Sequence, residues 1–195
     1  MASALRHADL PALVREAEVL VATARQEFGG LSSAQVNWKP DVREWSIGQC
    51  FDHMILAVAA YFPTLRAIQT HTKRATVWER LPLLPRLFGP LLIHALDPER
   101  GRKIQAPAGL RPTQSAIDPS IVQRFDDTHR ELVAFMAATA TPGALTTIVT
   151  SPMSRFITYP LLDAYRIIVV HDHLHVRQAR NVAASAAFPR LTPIR

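Results

Sequence analysis

The 195-residue chain is 48% apolar and 19% charged, a globular composition that excludes a disordered chain. Its one cysteine, Cys50, excludes a disulfide framework and any paired-cysteine zinc or redox site. Lys and Arg outnumber Asp and Glu by 22 to 16, a net charge of +6 that admits acidic partners without requiring them.

The length is that of one ordinary domain. No repeat, low-complexity tract or second domain is visible, so residues 1–195 are read as a single unit. The stretch from Met1 to Asp9 lacks a long apolar run behind a basic start, and no signal peptide is expected. The most apolar window, Leu81 to Leu96, is broken by Arg86 and by Pro82, Pro85 and Pro90 and is too short to span a bilayer. The expectation is a cytoplasmic protein with no membrane span.

Four segments read as helices. The first opens at Asp9, an N-cap, with Pro11 in the first turn. Leu10, Leu13, Ala17, Leu20, Val21 and Ala24 recur at helical spacing, and Gly29-Gly30 stops it. The second opens at Ser46, where Gln49 completes a capping box. It runs to about Gln69 or Thr72, with a kink or an early end at Pro63. The third opens at Asp118-Pro119, cap then proline, with Ile121, Val122, Phe125, Leu132, Val133 and Met136 as its apolar stripe. Thr141-Pro142-Gly143 ends it. Leu145 to Thr150 is rich in Thr and Ile and suits a short extended piece. The fourth helix starts between Thr158 and Leu161 and runs to about Ala184, too long for a strand.

Between the second and third helices, Ala75 to Ile117 reads as an irregular crossover holding six of the 15 prolines. Such long connections are uncommon. Leu81, Leu83, Leu84, Leu87, Phe88, Leu91, Leu92 and Ile93 are too apolar for a solvated linker and are expected to cover the bundle or a second subunit. The fold class is therefore all-α, a four-helix bundle, with a Pro-rich crossover long enough for a non-sequential order.

The residues that stand out are His171-Asp172-His173-Leu174-His175. On a helix, His171 and His175 lie about 40° apart on one face, whereas His173 is about 200° round from His171. A buried pair of this kind is a metal site or a costly pair of polar groups needing other partners. A metal needs a further ligand from a facing helix. His53 lies on a small, largely apolar face of the second helix. His129, with Asp126 one turn before it on the third, competes, and spacing alone leaves both open. His7, His71 and His94 fall near element ends or in the crossover. Asp172 and His173 point away from the pair and are read as solvated, with support of the ligands from behind as the alternative.

Trp45-Ser46-Ile47-Gly48-Gln49-Cys50-Phe51-Asp52-His53 resembles the helix-opening signature of the DinB-like (damage-inducible) four-helix-bundle metalloproteins. His171-x-x-x-His175-x-x-Gln178 resembles that superfamily's second signature. The order and separation of the two also fit, and the resemblance runs from about Leu10 to Ala184. It implies an up-up-down-down-like bundle with a divalent metal, zinc or nickel, held by His53, His171 and His175. Three imidazoles do not by themselves select the metal. Three protein ligands leave positions open, the layout of a catalytic rather than a structural site. Gln49 and Gln178 are candidates for supporting the ligands from behind.

The resemblance also implies thiol-dependent transferase or isomerase chemistry on a small-molecule substrate with a low-molecular-weight thiol, and a hydrolase is the next reading. No Glu sits beside either histidine motif. A hydrolase would draw its base from the crossover, where Glu79, Asp97 and Glu99 are the candidates. The alternative is a non-catalytic metal-binding stress or interaction protein on the same three histidines. Arg100-Gly101-Arg102-Lys103, with Lys73-Arg74 and Arg111, is a short run read as a solvated loop, and no nucleic-acid motif accompanies it. The apolar Leu81–Leu96 stretch leads to the expectation of a homodimer.

Overall fold

In the computed structural model, which describes residues 2–81, 84–96, 108–112 and 116–190, a short helix α1 (Ala2–Leu5) precedes the first long one, α2 (Leu10–Phe28). Asp9 caps α2 by accepting the Ala12 N–H, and Pro11 sits in the first turn, where no N–H is needed. A single-turn helix α3 (Ser33–Asn37) follows, closed by a capping box of Ser32 and Gln35. The sequence reading missed it, because five residues carry too little periodicity to detect.

Helix α4 (Ile47–Ala59) starts where its box places it. The Gln49 N–H donates to Ser46 Oγ at 3.2 Å, and the Ser46 N–H donates to Gln49 Oε1 at 3.3 Å. Pro63 divides the long helix. The chain breaks after Ala59 and resumes as α5 (Phe62–Gln69) with the proline in its first turn.

The crossover is less irregular than its prolines suggest. It contains a 3₁₀ turn (Trp78–Arg80) and helix α6 (Leu84–Ala95), which packs on strand β2 (Ser154–Pro160) and on α9 (Leu161–Ala183). Pro85 lies in the first turn of α6, Pro90 costs it one backbone bond, and burial of Ile93 and Leu96 offsets that loss. Gly89 allows the close approach, since a Cβ there would meet the Asp163 carboxylate of α9. Residues 82–83, 97–107 and 113–115 lie outside the described part, and with them Leu83, Asp97, Glu99 and the basic run 100–103.

Helix α7 (Ile121–Ala138) begins two residues later than its Asp118-Pro119 signal. Asp118 instead accepts the Ser120 N–H in a turn ahead of the helix. After a one-turn helix α8 (Pro142–Leu145), strand β1 (Ile148–Ser151) pairs antiparallel with β2, Val149 opposite Tyr159, with an irregularity after Thr150. The chain is therefore mostly helical with a small hairpin, a correction to the all-α expectation. Thr158 and Tyr159 are fully buried beneath α6 and against the bundle, so tertiary packing holds this ribbon in place.

Four helices form the bundle. α2 packs on α7 and α9, and α4 packs on the same two, so α2 and α4 face each other diagonally. Side-chain pairs give the directions. Ala8 with Arg166, Glu16 with His173 and Glu27 with Arg180 run in step, so α2 and α9 are parallel. Phe51 of α4 with Phe125, and Phe62 of the following α5 with Phe135, make α4 with its continuation α5 parallel to α7. His53 with His171, and Tyr61 just past the end of α4 with Tyr159 just ahead of α9, make α4 and α9 antiparallel. The order is thus up, down, down, up, not the implied up-up-down-down. A parallel α4–α7 connection must return along the whole bundle, and the Pro-rich crossover makes that return. Among the described residues, no helix is long and apolar enough to cross a membrane.

Candidate metal centre

The first turns of α4 are anchored by its capping box and by Gly48. A Cβ there would lie 2.7 Å from Val36 and 2.9 Å from Ile117, so only glycine lets α3 and the segment ahead of α7 close on this helix end. His53 follows one turn later, 4% exposed. On α9 the i, i+4 spacing aims His171 and His175 at it, and the antiparallel packing of α4 and α9 sets the register.

The three rings form a triangle with centroids 4.5–4.9 Å apart. One ring nitrogen from each lies within 4.8 Å of the other two. His53 Nε2 and His171 Nε2 are 3.0 Å apart. Each ring's other nitrogen faces an oxygen acceptor. His53 Nδ1 meets the Leu110 carbonyl at 2.5 Å, His171 Nδ1 meets Asp172 Oδ1 at 3.4 Å, and His175 Nδ1 meets Gln178 Oε1 at 3.0 Å. An oxygen beside Nδ1 favours the proton there, which leaves the other nitrogen of each ring free to ligate. Two lone pairs 3.0 Å apart repel unless a cation or a proton lies between them. Two nitrogen ligands of a tetrahedral ion stand about 3.3 Å apart, so the donor set fits a divalent metal.

Electrostatics favour the ligating form. Burial, then the neighbouring His171 charge, lowers the His53 imidazole to about 4. Burial, then His171 and His53, holds His175 well below the usual histidine range. Both are neutral near pH 7, the state in which an imidazole binds metal. Trp45 walls the cluster, its ring 4.9 Å from His53 and stacked on His175 at 5.7 Å. His171 is the most open of the three, with 15% of its side chain exposed.

His129, the competing candidate, lies outside the triangle. It is 1% exposed, with Nδ1 on the Phe125 carbonyl and Nε2 2.8 Å from Asp172 Oδ2. Asp172 was expected in solvent and is instead fully buried between His129 and His171. Burial pushes its carboxyl up, but the hydrogen bond and charge of His129, then those of His171, outweigh this and bring it to about 2. His173 is not solvated either. It turns to the opposite neighbour, α2, and pairs with Glu16 at 2.8 Å. A signal for the Asp172–His129 contact was present, because His129 falls on the buried stripe of α7 and a buried imidazole needs a partner.

The remaining candidates, and the Cys50 thiol three residues before His53, fall as follows. Gln49 Oε1 closes the cap at Ser46. The Cys50 thiol is fully buried, and burial pushes it up, which keeps it protonated. Glu79 is at the other end of the bundle, on the order of 20 Å along the helix axis from His53. There it accepts from Lys73 Nζ at 2.7 Å, the Thr76 N–H at 2.9 Å and Thr150 Oγ1 at 2.8 Å, so it is not a base for this cluster. Of the three crossover acids only Glu79 lies in the described part.

The sequence pattern that defines the DinB superfamily matches residues 18–179. That span contains every residue of the histidine cluster and of its supporting shell. No curated protein and no solved structure matches the chain significantly.

Proposed function

The chain belongs to the DinB superfamily, and from that premise we propose that it is a metal-dependent enzyme whose divalent ion, zinc or nickel, is held by His53, His171 and His175. The observation that carries this reading is the convergence of one ring nitrogen from each of three imidazoles, all within 4.8 Å of one another, while Nδ1 of each ring faces an oxygen. A divalent ion in such a site supplies a Lewis acid that acidifies a thiol or water or polarises a carbonyl.

The chain's own residues do the rest. The Leu110 carbonyl and Gln178 face Nδ1 of His53 and His175 at hydrogen-bond distance and set those rings, and the Asp172 carboxylate lies behind His171. Trp45 and the buried α4–α9 seam exclude water from the inner side. The partly open His171 marks the side from which a small substrate enters. Thiol-dependent transfer is favoured over hydrolysis. A thiol reaches its reactive thiolate without a dedicated base, whereas water activation gains from one, and Glu79 is committed elsewhere. A non-catalytic metal-binding protein would use the same ligands and differ in showing no turnover.

The test is metal content by mass spectrometry on protein purified without a histidine tag, beside a His171→Ala/His175→Ala variant. About one ion per chain, lost in a variant that keeps its helical circular dichroism, supports the site and justifies a screen of thiol-dependent and hydrolytic substrates. No bound metal after incubation with zinc and with nickel overturns it.

We also propose that the protein pairs as a homodimer through the side carrying α6. Leu87 and Leu91, one turn apart on α6, are 62% and 56% exposed. Val77, Trp78 and Phe156 are exposed on the adjoining turn and strand, with the Trp78 and Phe156 rings in contact at 4.7 Å. Apolar side chains so grouped mark an interaction surface. A monomer in sedimentation at micromolar concentration refutes the pairing.

A further inference from the structure

The three imidazoles do not stand in equal surroundings. His53 leans on a backbone carbonyl and His175 on a side-chain amide, both neutral. His171 alone leans on a carboxylate, and that carboxylate comes from the next residue in the chain. One helix position round from the ligand pair, Asp172 points at α7, where His129 fixes its other oxygen at 2.8 Å. His129 is itself fixed, since its Nδ1 bonds the Phe125 carbonyl one turn back at 2.9 Å. Asp172 and His129 are 0% and 1% exposed, so water does not screen the Asp172 charge, and only its partner His129 offsets part of it.

We infer that Asp172 and His129 form a buried positioning pair for the metal site. Asp172 places its charge behind His171 and makes it the most electron-rich of the three ligands, and His129 holds Asp172 in place. This rests on the three-histidine metal reading above. The distance from Asp172 Oδ1 to His171 Nδ1 is 3.4 Å, long for a hydrogen bond, so the carboxylate acts chiefly through its charge. An anion behind one ligand ring adds attraction for a divalent cation in front of it. Partners of this kind change metal affinity by about 10–100-fold. The same arrangement ties α7 to the site, although α7 supplies none of the three clustered histidines. Packing of α7 is thereby coupled to the donor strength of α9.

The experiment is competition between the protein and a chromophoric chelator for zinc, with the cobalt(II) absorption spectrum as a second readout. Parent, Asp172→Asn, His129→Gln and Gln178→Ala proteins are compared. Asp172→Asn keeps the shape and removes the charge. It is expected to bind one metal per chain about 10–100-fold more weakly and to shift the cobalt ligand-field bands. His129→Gln leaves the charge and loosens its hold, and is expected to weaken binding several-fold. Gln178→Ala removes a neutral partner and is expected to weaken binding less than Asp172→Asn. If Asp172→Asn fails to fold, His129→Gln decides: parental affinity and an unshifted spectrum in that variant overturn the inference. In a folded Asp172→Asn protein, zinc affinity within twofold of the parent overturns it as well. A parent that binds neither zinc nor cobalt refutes the metal reading itself. Parental binding with unchanged variants refutes only the positioning pair.

Discussion

Acid weakens the metal-free protein well above the pH at which its carboxylates protonate. The cause is His53, 4% exposed and lowered from the ordinary 6.5 to about 4 by burial and then by His171. Above the ordinary value neither the folded nor the unfolded chain carries a proton there, and the group leaves stability unchanged. Below 6.5 the unfolded chain takes up a proton that the folded chain refuses until about pH 4, so stability falls with falling pH through that window. At 1.36 kcal/mol per pH unit, the loss reaches about 2 kcal/mol at pH 5 and about 3 kcal/mol at pH 4. His175, lowered by burial, His171 and His53, adds in the same direction. Asp172 acts in a separate window. Its carboxyl, at about 2, contributes stability that is lost only as the pH falls through the ordinary 3.8 toward that value. The interval from pH 7.5 to 5 therefore isolates the imidazoles. The assay is urea unfolding of chelator-treated protein, followed by circular dichroism across that interval, for the parent and for His53→Gln. The parent is expected to lose at least about 2 kcal/mol and the variant correspondingly less. Equal pH dependence in the two proteins refutes the reasoning.

Other consequences follow from close packing and buried polar contacts. Gly48→Ala places a methyl group against Val36 and Ile117 and should destabilise by about 1–3 kcal/mol, read as a lower urea midpoint at unchanged slope. Glu79→Gln leaves Lys73, 13% exposed, without its ion pair. That substitution should lower the melting temperature and speed proteolysis of the segment joining α5 to α6, and an unchanged digestion pattern counts against a role in tying this connection to Thr150 of β1. The buried Tyr61 and Tyr159 hydroxyls are 2.6 Å apart. A Tyr61→Phe and Tyr159→Phe double-mutant cycle should return a coupling of about 1 kcal/mol, and additivity of the two single changes would remove this contact from the list of stabilising ones.

Much of the fold is local chemistry and was legible. Asp9 with Pro11 opens α2 and the Ser46–Gln49 box opens α4. Pro63 breaks the long helix, because it cannot donate to the preceding turn. The β-branched run of α9 is helical, as its length required. What escaped was structure that depends on neighbours. α6 looked too rich in proline, yet Pro85 falls in its first turn, and the burial of Ile93 and Leu96 offsets the bond lost at the interior Pro90. Of the hairpin, β1 was legible in the stretch ending at Thr150, whereas β2 does not declare itself without the bundle beneath it.

The histidine cluster divides in the same way. The sequence alone placed His171 and His175 on one face, because the 3.6-residue period is set by hydrogen bonds within a single helix. That same period excluded His173. It left His53 and His129 equally eligible, because the partner across a bundle depends on how two helices remote in sequence slide and cross. Packing of α4 against α9 brought His53 to the pair, and packing of α7 turned His129 to Asp172. The family resemblance favoured His53, but the residue spacings held no such information. Asp172 shows the limit most clearly. From its own helix it pointed away from the ligands, and only the arrival of α7 made that direction the interior. Local bonding decides which residues share a face, and tertiary packing decides what that face meets.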